Sequence, residues 1–201
     1  MQRGIARFIL LAALVWLALG LPADAAPPKS SPPANLAGPP AGETEAQRME
    51  LVRATVAREF GSHLTLVPKF PPMFGDFDGD GAEDLAVVVS GNPVPDAAAH
   101  DYKLIDPYDS FFGYGDAKVM LSFPVTVSGE GRYVAIVHQW RSAHPKMKFV
   151  IVNLPFEQIQ SGSARWKKKL ISALFTIDST GLHAQVFWDG RKYRWAAGGF
   201  D

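Results

Sequence analysis

The sequence predicts an α+β domain: a mainly antiparallel β-sheet with one N-terminal helix packed on it. Three observations carry this reading. Apolar residues recur at helical spacing between Thr44 and Phe60, the chain then changes to short β-type runs divided by turn residues, and no second helical pattern separates those runs. Successive strands without helical crossovers favour antiparallel pairing, with the helix confined to one face.

The chain has 201 residues, 20 Lys+Arg against 20 Asp+Glu, and no Cys. That length suits one domain with a substantial core. Zero formal charge argues against a nucleic-acid partner held by phosphate neutralisation and against a polybasic membrane-surface protein. Without Cys there are no disulfides, no thiol catalysis and no Cys-ligated zinc or iron–sulfur centre.

The elements follow in order. Met1–Arg7 is basic, Phe8–Leu21 is an unbroken apolar run, and Ala23-Asp24-Ala25 ends it. This is the layout of a secretory signal peptide over residues 1–25, with cleavage before Ala26. The apolar run is shorter than the roughly 20 residues of a spanning helix, so no stable membrane span is expected after cleavage. Loss of Arg3, Arg7 and Asp24 leaves 18 basic and 19 acidic residues in a nearly neutral, extracytoplasmic chain, periplasmic or secreted. Residues 26–43 contain three Pro-Pro pairs and read as an extended linker rather than a folded element.

The domain spans 44–201. Thr44-Glu45-Ala46-Gln47 has the form of a capping box. Met49, Val52, Val56 and Phe60 then fall on one helical face, and Gly61 is a natural stop. Strands are expected at Leu64–Val67, Leu85–Ser90, Lys118–Phe123, Tyr133–Gln139, Lys148–Val152, Leu170–Thr176, His183–Trp188 and Lys192–Trp195. Asp189-Gly190 signals a two-residue hairpin between the last pair, and Ser128–Gly131 a further turn. Residues 91–116 read as a long irregular excursion, and 155–165 as a place for one helical turn. No internal repeat is present.

One motif carries chemistry. Asp76-Phe77-Asp78-Gly79-Asp80-Gly81-Ala82-Glu83-Asp84 places carboxylates at positions 1, 3, 5 and 9, Gly81 at 6 and the Ala82 carbonyl at 7. A calcium loop supplies oxygen from such positions, because alternate residues of a tight curl turn inward together and Gly at 6 permits the sharp bend. Four carboxylates within nine residues repel one another without a cation. The candidate metal ligands are therefore Asp76, Asp78, Asp80, the Ala82 carbonyl and Asp84, with Ca²⁺ as the ion. Position 12 is Val87 rather than the bidentate Glu of an EF-hand, which implies modest affinity, about 10⁻⁴–10⁻³ M.

The stretch GDFDGDGAEDLAVVV, within Phe74–Val89, resembles the calcium loop of FG-GAP and VCBS-type repeats. The resemblance implies calcium held by those carboxylates and a following strand that enters a sheet. A propeller built from such repeats needs several blades, whereas this chain has one loop, so a complete propeller is not expected. Ser172–Trp195 also resembles the tails of uncharacterised bacterial exported proteins that carry a single loop of this kind, a match that implies no activity.

Other motifs carry weaker chemical signals. Asp76-Phe77-Asp78-Gly79-Asp80 resembles the D-x-D-G-T of haloacid-dehalogenase-type phosphatases, but Asp80 replaces the Thr, and Pro68, Pro71 and Pro72 precede the motif. His63, His100, His138, His144 and His183 form no H-E-x-x-H, and His138, within an apolar strand, reads as a hydrogen-bonded structural residue. Ser128 and Ser179 lie in turns without a G-x-S-x-G or S-x-x-K context. Lys167–Lys169 reads as a solvated strand start. Trp140, Trp166, Phe187, Trp188, Tyr193 and Trp195 suit a core, with an aromatic platform for sugar or peptide as the competing reading. The expected function is an exported non-catalytic calcium-binding module, with 91–116 offering a surface to a protein or glycan partner. The alternative is an exported hydrolase whose catalytic residues the sequence does not reveal.

Overall fold

The computed structural model describes residues 40, 42–91, 100–107, 131–166 and 169–198. The expected signal segment, most of the linker, residues 92–99 and 108–116 of the excursion, the Lys118–Phe123 strand, most of the Ser128–Gly131 turn, and Lys167 and Lys168 lie outside them. Within the described residues the fold class is as the sequence predicts: one helix, α1 (Glu45–Phe60), and strands paired almost wholly antiparallel.

The helix starts at a complete capping box. The Gln47 N–H donates to Thr44 Oγ1, and the Thr44 N–H donates back to Gln47 Oε1 at 2.9 Å. It ends at Gly61, whose N–H still donates to the Ala57 carbonyl and whose φ of +78° turns the chain out of the helix. Val52, Val56 and Phe60 are buried, while Met49 lies at the margin of that face.

Among the described residues, ten strands form two sheets instead of the one expected. In chain order they are β1 (Leu64–Leu66), β2 (Met73–Gly75), β3 (Asp84–Gly91), β4 (Lys103–Ile105), β5 (Arg132–His138), β6 (Met147–Ile151), β7 (Gln158–Trp166), β8 (Lys169–Ile177), β9 (His183–Trp188) and β10 (Tyr193–Ala197). The first sheet has the order β1-β3-β5-β6-β4, with β2 also pairing with β3; the second is the meander β10-β9-β8-β7.

Three expectations are corrected. Residues 158–166 form β7, a nine-residue partner of β8, not a helical turn. Ladder pairing decides this, since Gln158–Trp166 has little apolar periodicity of its own. Part of the 91–116 excursion is regular: β4 pairs with β6, in parallel, so the sheet is mixed. The β9–β10 connection is four residues long, because Trp188 pairs with Tyr193 and Asp189 Oδ1 accepts from the Arg191 and Lys192 N–H groups.

The layers follow from alternation along β3 and β5. Leu85, Val87 and Val89 pack with Ala135 and Val137 beneath Val52, Val56 and Phe60 of α1. Ala86, Val88, Val134 and Ile136 face the other way, against Leu174, Val186, Trp188, Tyr193 and Trp195 of the second sheet. The first sheet is thus buried on both faces, which explains the continuous apolar run Leu85–Val89. Trp188, Tyr193 and Trp195 lie in the inter-sheet core and Trp140 under α1, while Phe187 packs on the other face of the second sheet with Ala164 and Ala173; the Trp166 side chain lies outside the described residues. No helix among the described residues is long and apolar enough to cross a membrane.

Ile136 is fully buried at the centre of the inter-sheet core. Ile136→Ala should cost about 2–5 kcal/mol, read as a lowered midpoint in urea unfolding. A loss under about 1 kcal/mol would mean that the two sheets do not pack as described.

Candidate functional site

The acidic loop joins β2 to β3, and its curl is set by its own backbone. Asp76 Oδ1 accepts from the Gly79 and Asp80 N–H groups at 2.8 and 3.0 Å, and Oδ2 from Gly81 at 2.9 Å. Asp78 Oδ1 accepts from the Asp80 N–H and Asp80 Oδ1 from the Ala82 N–H. Gly79 and Gly81 have φ of +77° and +88°, the left-handed geometry that non-glycine residues rarely adopt. The Gly at position 6 is therefore used as the sequence implied.

Asp84 is the loop's internal anchor. Fully buried, it accepts at Oδ2 from the Phe77 N–H at 2.7 Å and the Asp78 N–H at 3.3 Å. Its Oδ1 accepts from the Gln139 N–H at 2.8 Å, which ties the loop to the end of β5. The Ser172 hydroxyl of β8 accepts from the Asp76 N–H, and the Ser172 N–H donates to the Asp76 carbonyl, so the second sheet also holds the loop. A Cβ on Gly75 would lie 2.9 Å from Ser172, so only glycine admits this approach.

Of the five expected ligand residues, three carboxylates cluster directly. Asp76, Asp78 and Asp80 offer oxygens that lie within 4.8 Å of one another. Ala82 is half-buried on the outgoing limb, and Asp84 sits at the base, where it also groups with Asp78 and His138.

A second segment, His138–Lys146, was not recognised from sequence as part of this site. Register explains its presence: Leu85 pairs with Val137, which sets the start of β3 beside the end of β5. The Lys146 ammonium lies 2.8 Å from both Asp78 Oδ2 and Asp80 Oδ2. Gln139, at φ +54°, donates from Nε2 to Asp80 Oδ2. Glu83 accepts from Arg48 of α1 at 2.6 Å and from the Trp140 indole at 3.0 Å, with Arg141 at 3.3 Å. Arg141 also forms a two-pronged pair with Glu43, just before the helix. The only sequence signal for this clamp was the polar run after an apolar strand, a weak one.

The electrostatics divide the carboxylates. Burial pushes Asp84 up to about 8, outweighing the N–H groups that hold it down, and neighbouring Asp78 and Asp76 add to the rise. Burial likewise raises Asp76. Asp80 goes the other way: Lys146, the Ala82 N–H and Gln139 overcome its partial burial and hold it at about 2. Lys146 is raised by Asp78 and then Asp80. Burial lowers His138 to about 4 against the pull of Asp78.

Comparison with known proteins finds no matching family model, no matching curated protein and no matching solved structure.

A pH dependence of the metal-free protein follows from Asp84. Its carboxyl is raised from 3.8 to about 8, so the native state binds an extra proton across that interval. The associated stability is present at low pH and is lost as pH rises through the folded-state value. His138 has the opposite sign: lowered from 6.5 to about 4, it loses stability as pH falls below 6.5. Between about pH 6.5 and 8 Asp84 therefore acts alone among these groups, and the melting temperature in chelator should fall across that window. A flat or rising profile would contradict an unneutralised buried Asp84.

Proposed function

We propose that this chain is an exported, non-catalytic calcium-binding module in which the ion orders the Asp76–Asp84 loop and stabilises the domain. The observation that carries this reading is the convergence of Asp76, Asp78 and Asp80 oxygens on a loop already curled by its own N–H groups. Oxygen-only, carboxylate-rich donor sets suit a hard cation, and calcium tolerates the irregular geometry of such a loop. Asp84 and the Ala82 carbonyl complete the proposed donor set. The resemblance of this stretch to FG-GAP and VCBS-type calcium loops supports the same ion. The exported address rests on the basic, apolar and A-x-A order of residues 1–25. Calcium is abundant outside the cytoplasm, where a site of modest affinity would fill. A protein or glycan partner at 91–116 belongs to the same proposal.

The hydrolase alternative gains little from His138. Its ring is fully buried, Nε2 lies 2.6 Å from Tyr193 Oη, and Nδ1 faces Asp78, so the imidazole is placed for structure rather than for proton transfer to a substrate.

Calcium at 10 mM should raise the melting temperature by about 3–6 °C, the linkage expected for a site near 1 mM in a domain of this size. Asp78→Ala should abolish that response. An unchanged melting temperature in both proteins would sink the metal reading.

Lys146 contacts the same two oxygens that the ion would use. Lys146→Gln removes a competing positive charge and should tighten calcium binding about three- to tenfold in titration calorimetry. Weaker binding in this variant would instead make Lys146 a support of the loop.

A further inference from the structure

The loop also presents carboxylates on its inner side. There Asp78 and Asp84 face His138, and one ligand atom from each residue lies within 4.8 Å of the other two. Asp84 and His138 are 0 % exposed, and the Asp78 side chain 2 %. His138 Nδ1 lies 3.3 Å from Asp78 Oδ2 yet makes no hydrogen bond. A buried polar atom without a partner is uncommon and costly, and this one sits against two carboxylates.

The rest of the ring is already in place for a ligand role. Nε2 lies 2.6 Å from Tyr193 Oη. With the proton on Nε2, donated to Tyr193, Nδ1 turns a lone pair toward Asp78 and Asp84. Metal-bound imidazoles are ordinarily held in this way, the second nitrogen fixed by an oxygen partner. Asp84 Oδ2 is filled by two N–H groups, but Oδ1 accepts only one, from Gln139, and keeps a lone pair. The 3.3 Å between Nδ1 and Oδ2 matches the edge of a tetrahedron with ligand bonds of about 2.0–2.1 Å.

We propose that Asp78, Asp84 and His138 form a second, inner metal site for a late first-row divalent ion of the zinc class. An imidazole with two carboxylates is a donor set for such ions and a poor one for calcium. The two sites share Asp78 and Asp84, but the inner one depends on His138 and the outer one on Asp76 and Asp80, so each can fail without the other. Lys146 reaches Asp78 Oδ2 but is not paired with Asp84, whose carboxyl has no cation partner among the described residues. Three protein ligands leave a fourth position for water.

Cobalt(II) is the spectroscopic probe, added to chelator-stripped full-length protein. One equivalent should give the strong visible bands of a tetrahedral centre, removed by zinc but not by millimolar calcium. His138→Gln should abolish those bands while the calcium-induced rise in melting temperature persists. Asp76→Asn should do the reverse. Tyr193→Phe, which keeps the ring and loses only the Nε2 partner, should weaken cobalt binding about 10–100-fold. Should His138→Gln fail to fold, the wild-type cobalt form still decides: its proton NMR spectrum should contain one paramagnetically shifted imidazole N–H. Bands that survive in His138→Gln, no stoichiometric binding, or no shifted imidazole N–H would each overturn the inner site.

Discussion

The arrangement depends on one buried carboxylate. Asp84 stands at the first residue of β3, accepts N–H groups from Phe77 and Asp78 within its own loop, and accepts a third from Gln139 at the end of β5. Those three bonds close the loop on itself and fasten it to the sheet. A carboxylate so far from water is costly unless its charge is met. Here N–H dipoles meet part of it, but burial, with Asp78 and Asp76 close by, still raises the group to about 8.

Around that anchor the fold supplies rigidity from three directions. Glu83 reaches Arg48 on α1 and the Trp140 indole after β5. Asp76 is bound through its backbone to Ser172 on β8. Arg48 also stacks 3.5 Å over the Phe74 ring, beside the incoming limb of the loop. The helix, the first sheet and the second sheet therefore all touch one nine-residue segment. Ordering that segment, by an ion or otherwise, couples to the packing of every layer.

Legibility in the sequence tracked contact distance along the chain. The capping box spans four residues, the apolar stripe of α1 twelve, and the aspartate spacing nine, so each could be read locally. β3 and β5 were legible because both faces of the first sheet are buried, which makes their apolar runs continuous. β7 was not, because its strand state comes from pairing with β8 rather than from its own pattern. β2 and β4, three residues each, are too short to carry a period. Lys146 lies 66 and 68 residues from the carboxylates it contacts, and nothing local marks it.

The sequence by itself determined that four carboxylates with a glycine at position 6 would curl into an oxygen-rich loop ahead of a buried strand, since that geometry is a property of neighbouring residues. Which cations and rings meet the loop was decided only by tertiary structure. The β3–β5 register places Asp84 beside Gln139 and His138, and the β5–β6 turn brings Lys146 back over Asp78 and Asp80. A register is a cooperative outcome of the whole sheet, in which a shift of one residue would turn every side chain to the opposite face. The acidic cluster was therefore written in a short stretch of chain, and its chemistry was set by residues that only folding brings near it.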